Sequence, residues 1–204
     1  MNEMERVRRY FERTAPKYDG SIRFYEKLLF GGGRRWVCSR ARGDVLEIAV
    51  GTGRNFPYYP DGVRLTGVDV SPAMLAIARS RAGELGRQVE LSVGDAQALA
   101  FPDESFDTVV CTLSLCTIPD DGRAVTEAHR VLRTSGQLVL LEHVRSPIRV
   151  VRWVERLLEL LEVRLAADHL LREPLDYLDA EGFAVEQCES SKWGIVERVV
   201  ARKK

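Results

Sequence analysis

Glu47, Asp69, Asp95 and Glu142 are acids that fall inside or at the end of apolar runs, where a surface role explains them poorly. Glu47 lies within Val45-Leu46-Glu47-Ile48, and a carboxylate buried there is costly unless a polar group meets it. Asp69 closes the run Val63 to Val70, about 20 residues past Gly51 and Gly53, where an acid can accept hydrogen bonds from ribose hydroxyls. Asp95 follows Gly94 at the end of a third apolar run. Glu142 stands beside His143, whose imidazole can act as a general base near neutral pH if it reaches a substrate. An equally simple role for His143 is a hydrogen bond to a neighbouring cap. Gly51 and Gly53 let the backbone turn sharply and approach a ligand with no Cβ in the way.

These residues need strands beneath them. Val45, Leu46, Ile48 and Val50 form the near-continuous apolar run of a parallel strand covered on both faces. Further strands are predicted over Val63 to Val70, Val89 to Val93, Ser105 to Leu113 and Gln137 to Leu141. Ser71-Pro72 reads as the N-cap and first residue of a helix over Ala73 to Leu85. A second helix is expected over 121–132, with His129 packed rather than a ligand, and a third from Arg172 to Gly182, which caps it. Alternation over Phe183 to Cys188 and Ile195 to Ala201, across Lys192-Trp193-Gly194, predicts a closing hairpin.

The glycine loop decides between two nucleotide chemistries. A dinucleotide fingerprint needs a third glycine where Phe56 stands, which argues against a nicotinamide-cofactor oxidoreductase. Glu47, Gly51 and Gly53 instead resemble the E-x-G-x-G-x-G loop of class I S-adenosylmethionine (SAM) methyltransferases, with Ala49 in place of the first glycine. Asp69, the Gly94-Asp95-Ala96 tip and Phe106-Asp107-Thr108-Val109 match that family's later elements in order and spacing, and Arg130-Val131-Leu132-Arg133-Thr134-Ser135-Gly136 is similar to its R-V-L-x-P-G-G turn. That turn is expected to keep its flexible position at Gly136. The resemblance spans about residues 44–145. It implies an α/β fold with a Rossmann-like, seven-stranded, mostly parallel sheet and an antiparallel C-terminal hairpin. It implies SAM as cofactor, with Glu47 on the methionine ammonium and Gly51 and Gly53 closing the loop. Asp69 would meet the ribose, Asp95 the adenine amino group, and Met74 and Ala96 the ring, with Val70 also among the cofactor-binding residues. Ala49 and Leu113 complete the expected pocket, the loop Leu113 to Asp120 lining the methionine end.

Residues 1–41 are expected to form a helical cap, with Val7, Tyr10, Phe11 and Thr14 on one helical face and the helix ending before Pro16. Tyr10 to Asp19 resembles the amino-terminal lid of ubiquinone and menaquinone C-methyltransferases, which implies that Tyr18 covers the SAM pocket. Core packing of the ring explains Tyr18 equally well. Gly31-Gly32-Gly33 reads as a hinge between cap helices. Across 147–182 a helical insertion carries Trp153, Val154, Leu157, Leu158, Leu160, Leu161 and Leu165 as an apolar stripe. It suits covering the acceptor pocket, making a dimer seam or lying on a membrane; its mixed charges argue against anionic lipid, and the pocket cover is the preferred role. Glu142-His143, Leu115-Cys116 and Arg172-Glu173 also resemble soluble phosphatidylethanolamine N-methyltransferases and thiol S-methyltransferases.

With 204 residues, the chain suits one domain with a sizeable core, divided into 1–41, 44–145, 147–182 and 183–204. Its 30 basic and 30 acidic residues cancel, so no overall pull toward nucleic acid arises. Neither a basic patch nor an asparagine-proline catalytic loop is evident, which disfavours protein or nucleic-acid methylation. Four cysteines without a C-x-x-C pair make neither a disulfide framework nor a zinc site. The charged start and the lack of a long apolar run predict a cytoplasmic protein without a spanning helix. The expected activity is methyl transfer to a small, lipophilic acceptor, a membrane-derived one among the candidates, and a homodimer is compatible with the sequence; a SAM-binding regulator without activity is the alternative.

Overall fold

The computed structural model describes residues 2–153, 155–156 and 171–204. Seven strands form one sheet in the order β3-β2-β1-β4-β5-β7-β6. These are β1 Asp44–Ile48, β2 Arg64–Asp69, β3 Val89–Val93, β4 Phe106–Thr112, β5 Leu132–His143, β6 Phe183–Ser191 and β7 Val196–Lys203. The first five run parallel, and β7 pairs antiparallel with both β5 and β6. The chain leaves β1 toward β2 on one side and returns to β4 on the other. That reversal opens a crevice at the carboxyl ends of β1 and β4, where open α/β sheets bind ligands.

Helices cover both faces. On one, α2 (Gly33–Cys38) and α3 (Pro72–Glu84) bury Val37, Cys38, Leu75 and Ala78 with Phe56 and Tyr59 against Val45, Val110 and Val139. On the other, α4 (Asp121–Val131) and α5 (Leu175–Leu178) bury Val125, Ala128 and Leu178 with Phe183 against Leu46, Val109 and Leu140. Alternate residues of β1 therefore feed separate cores, as a two-sided strand requires. Ser71 caps α3 as its sequence predicts, its hydroxyl accepting from the Met74 amide.

The structure corrects several expectations. Helix α1 runs from Glu3 to Leu29 straight through Pro16 instead of ending before it. An interior proline costs about 3 kcal/mol, and α1 continues because ion pairs hold Asp19 and Glu26 on the far side of Pro16. Within β5, where a turn was expected, the left-handed residue is Ser135 (φ 61°), not Gly136. Gly136 serves close approach: a Cβ there would lie 2.8 Å from the Arg133 carbonyl. Strand β5 begins at Leu132 rather than Gln137, its pairing with β4 shifting between Phe106 and Thr108. The helix expected from Arg172 shrinks to α5, which ends at Leu178 with Asp179 as its cap; Gly182, expected to cap it, is left-handed (φ 85°) but lies four residues beyond its end. His129 packs edge-on against Phe183 at 5.1 Å. Most of the apolar stripe, Val154 and Leu157 to Leu165, lies outside the described residues. Among the described residues no helix is long and apolar enough to cross a membrane.

Candidate active site

At the end of β1 the chain turns through Ala49 (φ 52°), Gly51 (φ 57°) and Gly53 (φ 76°). The two glycines stand there for different reasons. Gly51 has open space where a Cβ would be, and its amide points back to donate to Asp69 Oδ2 at 2.8 Å. Gly53 is pressed against the ring of buried Phe56, 2.4 Å from where its Cβ would sit. Phe56, which breaks the dinucleotide fingerprint, thus explains the second glycine by packing.

A cavity opens over this turn. Ala49, Gly51, Asp69, Val70 and Met74 form its floor, Gly94 and Ala96 one side, and Leu113, Ser114, Thr117 and Ile118 the other. Met4, Val7, Phe11 and Tyr18 of α1 close it from above. Of the residues singled out in the sequence, Tyr18, Ala49, Gly51, Asp69, Val70, Met74, Ala96 and Leu113 meet around this space. Glu47, Gly53, Asp95 and His143 do not border it.

Those four have identifiable surroundings. Glu47 is buried under the loop, accepting from Asn55 Nδ2 at 2.9 Å and from the Tyr59 hydroxyl at 2.8 Å. Burial pushes its carboxyl up to about 7 against the pull of Tyr59 and of Arg34. Asp95 accepts from the backbone and side-chain nitrogens of Gln97, both through Oδ1, at 2.8 and 3.0 Å. His143 ends β5 opposite Val196. Its neighbour Glu142 is buried, and Oε1 accepts from the Ser114 and Leu115 amides at 3.0 and 3.2 Å. Burial raises this carboxyl too, the two amides opposing the shift.

Asp69 is held by backbone from both sides. Oδ2 takes the Gly51 amide and Oδ1 the Ser71 amide at 2.9 Å. Burial raises its pKa, and those two donors counter it. Tyr18 packs edge-on to Phe11 at 6.2 Å, and burial raises its phenol to about 12, so it stays a neutral hydroxyl.

Sequence reading missed the polar ties that hold roof and walls. Asp19 of α1 accepts from the Thr52 hydroxyl at 2.7 Å and pairs with Arg81 and Arg54. Glu26 pairs with Arg34 and Arg54, and despite its burial these arginines hold its carboxyl below the ordinary range. Arg34 continues to Asn55 Oδ1 at 2.9 Å, so α1 is joined to Glu47 through Arg34 and Asn55. Across the cavity, Arg172 donates to the carbonyls of Leu115, Ile118 and Pro119, while Glu142 takes the amides of the same loop. Glu142 and Arg172 stood out in the sequence, but no local pattern linked them to this loop, and nothing in the sequence marked Asp19, Glu26, Arg34, Arg54 and Arg81 as partners.

The site's residues fit a nucleoside carrying a cationic sulfur: a tight turn with free space over Gly51, a buried acid beside it and apolar side walls. The methyltransferase domain family matches residues 46–140. Phosphatidylethanolamine N-methyltransferase of Cereibacter sphaeroides is 41% identical over 145 residues, 69% of this chain and 70% of that one. Demethylmenaquinone methyltransferase of Thermus thermophilus is 35% identical over 147 residues, covering 67% and 66%. A SAM-dependent methyltransferase from Thermotoga maritima superposes with a TM-score of 0.75 over 97% of this chain and all of its own, at 24% identity, a likeness of fold. Sequence kinship over most of both chains and a shared sheet agree: this chain belongs to the class I SAM-dependent methyltransferases.

Proposed function

We propose that the enzyme methylates a small, lipophilic acceptor: a quinol or phenol, an amine, a lipid headgroup or a thiol. The observation that carries this reading is the roof of the cavity, where Met4, Val7 and Phe11 present apolar side chains. An acceptor that enters beneath them is favoured by burying apolar surface. SAM supplies a methyl group on a positively charged sulfur, and transfer then depends mainly on holding nucleophile and methyl in line.

In this reading Asp69 takes ribose hydroxyls while keeping the turn closed on Gly51. Val70, Met74 and Ala96 contact the adenine, with Asp95 near its amino group. Ala49, Gly51 and Leu113 line the sulfur end, and Tyr18 covers it. Glu47, its oxygens occupied by Asn55 and Tyr59, positions the loop containing Gly53 rather than gripping the ligand directly. His143 serves as base only for an acceptor that arrives protonated. The enzyme works in the cytoplasm, which cell fractionation tests, and light scattering tests a homodimer.

The deciding experiment incubates the protein with SAM and a panel of quinols, phenols, amines, thiols and phospholipids, followed by mass spectrometry. A product heavier by one methylene on a lipophilic member is the expected result. Methylation confined to fully polar acceptors would overturn the reading.

A further inference from the structure

A basic, aromatic surface lies apart from the cavity, where the chain leaves β5. Residues 149–153 and 155–156 are helical, and Arg149, Arg152, Trp153 and Arg156 recur at spacings of three and four, which puts them on one face. Together they wall a shallow surface hollow. Beside them Ile148 and Val150 are open to solvent, and Trp153 is 63% exposed. The β6–β7 hairpin tip adjoins this turn: the Ser146 hydroxyl donates to the Trp193 carbonyl at 2.7 Å, and Trp193 is 69% exposed.

The charge of this surface follows from one side chain. From Arg145 to Arg156 the sequence holds four arginines and a single acid, Glu155; Arg145 pairs with Glu173 and Arg152 donates to the Ser146 and Pro147 carbonyls, while Arg149 and Arg156 are exposed. Glu155 is turned inward and buried, its Oε2 accepting from the Ser146 amide at 3.0 Å. Among the described residues no carboxylate pairs with Arg149, Arg152 or Arg156. Within the described residues 145–153 and 155–156 the charges therefore separate in space, with Arg149, Arg156 and the indoles outward and Glu155 inward. Guanidinium groups match phosphate oxygens, and tryptophan favours the headgroup region of a bilayer, where an apolar body and a polar N–H are both accommodated.

We propose that this surface docks the enzyme on an anionic lipid membrane, with lipid phosphates in the arginine hollow and Trp153 and Trp193 seated among the headgroups. The complementarity is local, since the chain as a whole carries no net charge. Val196, just past the hairpin tip, pairs with His143 at the end of β5, so the docking surface shares the carboxyl edge of the sheet with the cavity. The proposal stands on surface chemistry and holds whichever atom accepts the methyl group.

The test is flotation of the full chain with phosphatidylcholine vesicles and with vesicles of equal parts phosphatidylcholine and phosphatidylglycerol. Binding is expected only to the anionic vesicles, with a blue shift of tryptophan emission, and release as salt screens the arginines. Each arginine near an anionic surface contributes about a fivefold change, so Arg149→Gln with Arg156→Gln should weaken binding about 25-fold. Trp153→Ser with Trp193→Ser should abolish the blue shift, since Trp36 remains as a constant signal. SAM affinity by calorimetry checks that the variants are folded; should they misfold, the salt dependence and lipid selectivity of the wild type decide alone. Equal binding to both vesicles, binding to neither, or unchanged binding by the folded arginine variant overturns the proposal. So does arginine-dependent binding to a DNA duplex without binding to the anionic vesicles.

Discussion

The carboxylate of Asp69 reaches from the end of β2 to the Gly51 amide at the end of β1, 2.8 Å away, and so ties together two strand tips that border the cavity. Its second oxygen fixes Ser71, the N-cap of α3. One side chain thereby sets the glycine turn, the acid edge and the start of the helix that brings Met74 to the floor.

Replacing Asp69 with Ala strands both amides, at about 1–3 kcal/mol for each buried unsatisfied donor. Asp69→Ala should lower the melting temperature and weaken SAM binding at least tenfold by calorimetry. Asp69→Asn retains one acceptor and should fall between; wild-type affinity in Asp69→Ala would remove Asp69 from the site.

Glu47 makes stability depend on pH. Its folded-state pKa, about 7, lies above the ordinary 4.5, so the folded protein holds this proton more tightly than the unfolded chain. Its contribution is complete below pH 4.5 and is lost as pH rises through about 7, amounting to about 3 kcal/mol. Glu47→Gln should flatten that decline. Chemical denaturation at a series of pH values measures it, and parallel curves for wild type and variant would refute the assignment.

Pairing of Asp19 with Arg81 and Arg54 should govern how firmly α1 is seated. Asp19→Asn removes the charge while leaving an acceptor for Thr52. The expected loss is about 1 kcal/mol for these partly exposed pairs. It should appear in hydrogen exchange as faster exchange of α1 amides, with strand amides unchanged, and as faster dissociation of SAM.

Arg172 and Glu142 grip opposite polarities of one loop. Arg172→Met should free the carbonyls of Leu115, Ile118 and Pro119, raising KM for the acceptor several-fold and leaving SAM affinity near wild type. Equal losses in both would place the loop's role in cofactor binding.

Tyr18→Phe and His143→Ala separate binding from chemistry. The first should weaken SAM binding a few-fold if the hydroxyl contacts the ligand. The second should cut turnover with SAM affinity intact for an acceptor that arrives protonated, and should cost little for one that arrives already deprotonated. Unchanged turnover across pH would confine His143 to a structural part.

The framework was legible because parallel strands buried on both faces write themselves as apolar runs: β1 at Asp44–Ile48 is buried from Val45 onward as expected, and the tips that carry Asp69 and Ala96 followed. The hairpin was equally legible from alternation around Lys192-Trp193-Gly194. What escaped sequence reading depends on partners distant in the chain. Glu47 announced itself as an acid needing company, but nothing local named Asn55 and Tyr59. Pro16 reads as a stop by local rules, which ion pairs from Arg34, Arg54 and Arg81 override. Ser135, with a positive φ beside a glycine that keeps a negative one, shows that the residue best suited to a turn can be needed more for clearance.

Pro16 also divides α1 mechanically. Lacking an N–H, it leaves the Glu12 carbonyl without its usual partner in the next turn, so the helix is weakest between residues 12 and 16. Met4, Val7 and Phe11 lie on one side of that break, and Asp19 and Glu26, bolted to the loop, on the other. The apolar part of the roof is thus joined to the fastened part, which carries Tyr18, across the one turn of α1 whose backbone ladder lacks a bond.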